Sequence, residues 1–268
     1  MPSVEQLYGD IWAGDEALGA ELGRSLEPRG TEWLFEAFAA LGPRHGELVV
    51  DVGARDAVHT VRLVRDHGLR AVALDPLRLH VELALRTVAA AGVEQEIEVV
   101  EAGIEAMPLA DGVADWIWCR DVLVHVDVPV GLAECARVLR PCGRMLAYVT
   151  LATDLLEPRE GEWLFDALAI RPASTNPGSV EAAAEAAGLT LLSTTELGGE
   201  WRERMIEDGS WDAGADLLRL SRLRRAEKAL RGRHGADRLS AYRAGRLWGI
   251  YQLLGKLCPT VYVWERRA

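Results

Sequence analysis

The sequence predicts an α/β protein: a mostly parallel sheet with helices on both faces and an outer helical cap. Three observations lead there. Short apolar runs (LVVDVG, RAVALDP, EIEVVEAG, DWIWCRD and GRMLAYVT) recur roughly every 20 to 30 residues with helical stretches between them, the pattern of crossover connections rather than hairpins. The runs lack clean alternation of apolar and polar residues, as strands covered on both sides do. The first two carry an acid at the end, Asp51 and Asp75. Open parallel sheets bind their ligands there, beyond the carboxyl ends of the strands.

Taken in order, residues 1–43 read as a helical cap segment. Within it GTEWLFEAFAALG sets Trp33, Leu34, Ala37 and Leu41 on one side and stops at Gly42-Pro43. LVVDVG leads into a helical stretch around Val61 to Asp66, and RAVALDP into a helix carrying Leu79, Leu83 and Val88. GLAECARVLRP is the helix before GRMLAYVT. Past Thr150, Asp154 to Ala169 reads as helix and RPASTNPGS as a turn-rich connector. SVEAAAEAAG is a helix capped by Ser179 and stopped at Gly188. LTLLSTTEL and TVYVWERR are the last two strands. Residues 44–268 thus form the main domain, with cap insertions at about 151–178 and 198–259.

Two features stand outside this scheme. The helix from Asp216 to Arg231 has an apolar stripe of Leu220, Leu223, Ala226 and Leu230. Its other face holds Arg219, Arg222, Arg225, Lys228 and Arg231, either a solvated face or a surface for an anion or acidic partner. LEPRGTEWLFEAF (Leu26 to Phe38) and LEPREGEWLFDAL (Leu156 to Leu168) agree at nine of thirteen positions. The repeat predicts two similar helices on either side of one cleft, with Trp33 and Trp163 as anchors and each Glu-Pro-Arg lead-in bonding outside its own segment.

Composition excludes several classes. Forty-nine per cent hydrophobic residues over 268 positions supply a substantial core. Thirty basic against 41 acidic residues, net −11, argues against coating nucleic acid. No run reaches the 18 or more apolar residues of a membrane span. The first residues, MPSVEQLYGDIWAGDE, lack a basic region followed by an apolar run, so a cytoplasmic protein is expected. Cys119, Cys135, Cys142 and Cys258 form no CxxC pair, which fits a reducing compartment and no metal site.

A dinucleotide site needs GxGxxG for close approach of a pyrophosphate to a helix amino terminus. DVGARDA offers only Gly53, followed by Arg55 and Val58. With these residues in view, the sequence resembles the class I S-adenosylmethionine-dependent methyltransferases of the small-molecule type. Their first motif looks like D-[VIL]-G-x-G-x-G and is met by Asp51 and Gly53, while Arg55 and Ala57 stand where the family has glycines. AGIEAMPLADGVAD is similar to the family segment GDAExLPFxDGxFD, with Gly103 in place of its Asp. VLRPCGRMLAYV is similar to VLRPGGxLxxxx, with Cys142 for a glycine. The resemblance runs from about Glu47 to Tyr148 and implies a Rossmann-like, seven-stranded sheet whose last strand is antiparallel.

It further implies S-adenosyl-L-methionine as cofactor. Asp51, Gly53, Ala54 and Arg55 would lie at the methionine end, and Asp75 on the ribose with Pro76 beside the adenine. Gly103, Ile104, Glu105 and Arg120 would complete that site. His125, in LVHV after the fourth strand, is the candidate catalytic base, since an imidazole can accept a proton near neutral pH. Trp12, Trp163, Trp201 and Tyr251 fall in the outer segments and are the candidate substrate wall. GGEWRERMIEDG reads as a loop over the site. The implied reaction is methyl transfer to a small, partly apolar metabolite by a monomer or homodimer that binds neither nucleic acid nor membrane. The alternatives are a non-methylating homologue or repurposed cyclase, motivated by Arg55, Ala57 and Gly103, and a protein or nucleic-acid methyltransferase.

Overall fold

The structure is a computed structural model that describes residues 1–11 and 14–268. Helices α1 (Val4–Gln6), α2 (Asp15–Leu22) and α3 (Thr31–Ala40) precede the sheet. Strand β1 (Leu48–Val52) then alternates with helix through α4 (Val58–His67), β2 (Arg70–Asp75), α5 (Arg78–Ala91), β3 (Ile97–Glu101) and β4 (Ala114–Arg120). Next come α6 (Val128–Val138), β5 (Leu139–Ala152), α7 (Pro158–Ala167), α8 (Pro177–Ala186) and β6 (Leu189–Glu196). The chain closes with α9 (Glu200–Glu207), α10 (Ala213–His234), α11 (Ala236–Leu253) and β7 (Leu257–Arg266).

The seven strands lie in the order β3-β2-β1-β4-β5-β7-β6. All neighbours are parallel except β7, which runs antiparallel to both β5 and β6. The order reverses between β1 and β4, so the crevice at their carboxyl ends is the switch point where such sheets bind ligands. This is the seven-stranded Rossmann-like sheet that the family resemblance implied.

Alternation along the strands divides the core. Val50, Val52, Leu74, Ile117, Cys119 and Met145 face α6, α7 and α8. Val49, Ala73, Trp116, Trp118 and Leu146 face α3, α4 and α5. On that second face Phe35 of α3 stacks on Trp118 with ring centres 5.0 Å apart, and Phe38 meets Trp118 edge-on at 5.7 Å. Residues 31–40, expected within an outer cap, therefore cover the sheet itself. The two copies of the repeat pack on opposite faces: Leu34 and Phe35 on one, Leu164 and Phe165 on the other.

Local chemistry sets the ends of these elements. Asn176, not Ser179, caps α8: its Oδ1 accepts the Ser179 N–H at 2.9 Å, with Pro177 at the first helical position. Asp127 caps α6 in the same way. β5 bulges where Cys142 takes a left-handed φ of 60°. A Cβ on Gly143 would stand 2.9 Å from the Arg140 carbonyl, so the glycine that remains is needed there. GGEWRERMIEDG is a helix, α9, rather than a loop. Arg29 holds it, donating from Nε and Nη2 to both oxygens of Glu200 at 2.7 and 2.5 Å. In the second lead-in Glu157 instead takes part in a capping box with Glu160 of its own helix.

Phe38 is wholly buried against two indoles. Phe38→Ala should cost roughly 3–5 kcal/mol of unfolding free energy. Leu79→Ala, at a residue 64% exposed, should stay within about 0.5 kcal/mol. Urea unfolding of the two variants checks both values.

Candidate active site

The turn after β1 does what a glycine-rich turn does with fewer glycines. Gly53, Arg55 and Ala57 take left-handed φ values of 70°, 53° and 56°. A Cβ on Gly53 would fall 2.2 Å from Val122 Cγ2, so nothing larger fits. The turn is held from β2: the Gly53 and Ala54 N–H groups donate to the Leu74 carbonyl at 2.8 and 2.9 Å. The Arg55 N–H donates to Asp75 Oδ2 at 3.0 Å. The other Asp75 oxygen accepts the Leu77 N–H at 2.9 Å and lies 3.1 Å from His80 Nδ1. One buried carboxylate thus clamps two adjacent strand-end turns. The Arg55 side chain is exposed.

Next to this turn, β4 ends in Arg120, half-buried on the same face as Trp118. Among the described residues its guanidinium has no hydrogen bond or ion pair; Asp51 and Asp121 supply the negative field around it. Asp51 is buried and accepts the Thr60 hydroxyl at 2.5 Å. Burial lifts its pKa to about 6 against the pull of Thr60 and Arg120. Asp121 has a left-handed φ of 58°, its N–H on the Tyr148 carbonyl and its Oδ1 accepting from Thr150 at 3.1 Å. Burial raises its pKa too. His59, edge-on to Phe35 and Trp118, is pushed down to about 4 by burial and by Arg120, and is neutral at pH 7.

From Arg120 a cavity of about 400 Å³ opens between the α3 lead-in and α9, walled by Trp33, Trp201 and Met205. Arg29, Arg204, Glu32, Glu36 and Asp208 surround its outer part. Trp201 leans on Tyr148, within β5, with ring centres 4.7 Å apart. Below it Arg202 donates to Gln252 Oε1 at 2.7 Å, and burial lowers its pKa. Gln252 Nε2 is the one buried side-chain polar atom without a partner among the described residues.

The structure brings Asp51, Gly53, Ala54, Arg55, Asp75, Arg120 and Trp201 to one edge of the sheet. Pro76 follows the clamp, exposed, and Ile104 is buried after β3 beside Gly103, whose added Cβ would meet only Pro76 at 3.9 Å. Glu105 accepts the Asp127 N–H at 2.9 Å and so steadies the start of α6. His125 is exposed, with Nδ1 3.1 Å from the Ala169 carbonyl. Trp163 and Tyr251 stand apart from the Arg120 cavity: Trp163 donates to Ser240 at 3.1 Å under Arg243, and the Tyr251 hydroxyl donates to Glu160 at 3.0 Å. The repeat therefore does not frame one cleft; only Trp33 lines this cavity. Trp12 lies outside the described residues. Sequence reasoning missed Thr60, His80, Tyr148 and Gln252, which carry no motif and matter only through packing.

The methyltransferase-domain family model matches residues 50–147. A dimethylglycine N-methyltransferase of Parasynechococcus marenigrum is 29% identical over 84% of this chain and 78% of its own. The geranyl diphosphate C-methyltransferase of Streptomyces coelicolor A3(2) superposes with a TM-score of 0.65 at 12% identity, over 88% of this chain and 79% of that one. The [4+2]-cyclase SpnF superposes at 0.66 with 14% identity, over 98% and 96%.

The Asp51 shift has a definite sign. Its folded pKa of about 6 lies above the ordinary 3.8, so the folded protein binds the extra proton between those values and stability falls as pH rises through them. Asp51→Asn keeps an acceptor for Thr60 and removes that slope. Its stability relative to wild type should rise by roughly 2–3 kcal/mol from pH 4 to pH 7. Denaturant unfolding across that range checks it; parallel profiles for the two proteins would contradict the assignment.

Proposed function

We propose that the chain is a class I S-adenosylmethionine-dependent methyltransferase that methylates a small acceptor, with cofactor and acceptor placed as follows. The residues present fit the cofactor. Gly53 leaves room for nothing larger than its hydrogen, the left-handed turn persists through Arg55 and Ala57, and Asp75 ends β2 with its carboxylate fixed. The exposure of Arg55 supports a methylating reading, because a solvated guanidinium repels a nearby sulfonium less than a buried one does. We assign Asp75 and Pro76 to the ribose and adenine side, Gly103, Ile104 and Glu105 to its flank, and Asp51, Gly53, Ala54 and Arg55 to the methionine end. S-adenosylmethionine, when bound, supplies an electrophilic methyl group, and the protein's task is to align the acceptor atom with it.

The acceptor site is the cavity between Trp33 and Trp201, and the observation that carries it is Arg120 at its inner end. A half-buried guanidinium with no fixed partner is suited to reading a carboxylate or phosphate on the acceptor. The volume of about 400 Å³ falls within the range of small-molecule pockets, roughly 300–1,000 Å³. It leaves room for an acceptor larger than the amino acid named for the cyanobacterial relative. We therefore propose a mid-sized, partly apolar metabolite with one anionic group. Residues 44–268 form the catalytic unit, and α2, α7 and α9 to α11 its cap. The described helices include none long and apolar enough to cross a membrane. The four free thiols support a cytoplasmic setting.

Two measurements test this reading. Asp75→Ala should weaken S-adenosylhomocysteine binding by roughly 2–4 kcal/mol in calorimetry; an unchanged affinity would remove Asp75 from the site. Arg120→Met should bind S-adenosylhomocysteine as wild type does. Across a panel of carboxylated metabolites and their methyl esters, wild type should release S-adenosylhomocysteine faster with the acids. The variant should lose that preference by about a hundredfold in kcat/KM. Equal use of acids and esters by wild type would discard the role of Arg120.

A further inference from the structure

Charge is segregated strongly in this chain. Helices α10 and α11 form a hairpin that turns at Gly235, and residues 213–253 carry ten basic and three acidic side chains. The hairpin is thus +7 in a chain of net −11. Most of these cations, Arg222, Arg225, Lys228 and Arg238 among them, have no ion pair or side-chain hydrogen bond among the described residues. Between the helices runs a groove of about 630 Å³ floored by Leu223, Ala226, Leu230 and Leu239, with Arg222 and Arg238 on its rim. The basic positions go round α10 rather than along one side of it, which suits a partner lying in the groove better than a flat anionic bilayer.

The complement is at the other end of the sequence. Residues 1–22 contain Glu5, Asp10, Asp15, Glu16 and Glu21 and no lysine or arginine. Neither α1 nor α2 buries a residue. Leu18 and Leu22, one turn apart on α2, are 54% and 71% exposed, with acids on either side of them. Where this arm meets the body, the Ser25 hydroxyl donates to Glu207 at 2.9 Å. No described residue of the arm lines the groove of its own chain.

We propose that the amino-terminal arm of a second copy lies in the α10–α11 groove, with Leu18 and Leu22 on its apolar floor and Asp15, Glu16 and Glu21 against its arginine rim. The exchange is reciprocal: each copy offers one arm and one groove, so two copies close a two-fold dimer with no contact left open. The occupant is an amphipathic acidic helix because the groove needs both an apolar stripe and flanking negative charge. Because each arm leads directly into Glu27 to Trp33, which border the acceptor cavity, docking would also order the approach to that cavity.

Sedimentation velocity on the full chain, from low to high micromolar, tests this. Wild type should dimerise, more weakly at high salt. R222E/R238E should dimerise roughly tenfold or more weakly, and E16K/E21K likewise. Both sets combined in one chain should restore the dimer. All these positions are exposed, so melting temperature and S-adenosylhomocysteine affinity should match wild type in each variant. A wild-type monomer throughout, including one whose own arm is protected from proteolysis, would overturn the proposal. So would a dimer indifferent to both charge reversals, or one that neither set disrupts while anionic vesicles bind the hairpin.

Discussion

The Asp75 carboxylate is the constraint on which the site depends. It accepts the backbone N–H of Arg55 from the turn after β1 and that of Leu77 from the turn after β2, with His80 alongside. Hydrogen bonds to an ionised acceptor are roughly twice as strong as neutral ones, and this one sits where its residue is only 6% exposed. It holds in place a turn that is otherwise unfavourable. Left-handed backbone costs a residue with a side chain roughly 1–2 kcal/mol, and both Arg55 and Ala57 carry that cost. The left-handed path is thus held by tertiary bonds at two positions that carry side chains.

Away from the clamp, the same edge of the sheet concentrates unlike environments within a few residues. Asp51 is buried and protonates near pH 6, His59 is neutral, and Arg120 stands near Asp51 and Asp121 without an ion pair among the described residues. Buried charges are usually paired because desolvation is costly. An arginine left partly free at a cavity wall is suited to a ligand's charge, which is why the acceptor's anionic group is proposed to lie there. Arg29 and Arg202, by contrast, are committed to Glu200 and Gln252 and fix α9 as the cavity's wall.

What could be read from the sequence was the part written in local patterns. Strand ends at Asp51 and Asp75, the helix bearing Trp33, and the closing strand all announce themselves through apolar runs, acids and turn residues, while the antiparallel direction of that last strand came from the family resemblance. The helix after RPASTNPGS was legible, but not its cap, because Asn176 and Ser179 are equally good caps and only geometry chooses. α9 was hidden because EWRERMIE is mostly charged, and its stability comes from Arg29, 171 positions away from Glu200. The repeat misled for a related reason. Two nearly identical helices pack on opposite faces, since the partners that orient them, Trp118 for one and Ser240 for the other, lie far off in sequence.

A crystal structure of the protein with S-adenosylhomocysteine tests the central claim most directly. The account predicts the ribose hydroxyls on the Asp75 carboxylate, the methionine end along Gly53 to Arg55, and the sulfur facing the cavity floored by Arg120 and walled by Trp201. A ribose bound elsewhere, or a sulfur turned away from that cavity, would contradict it.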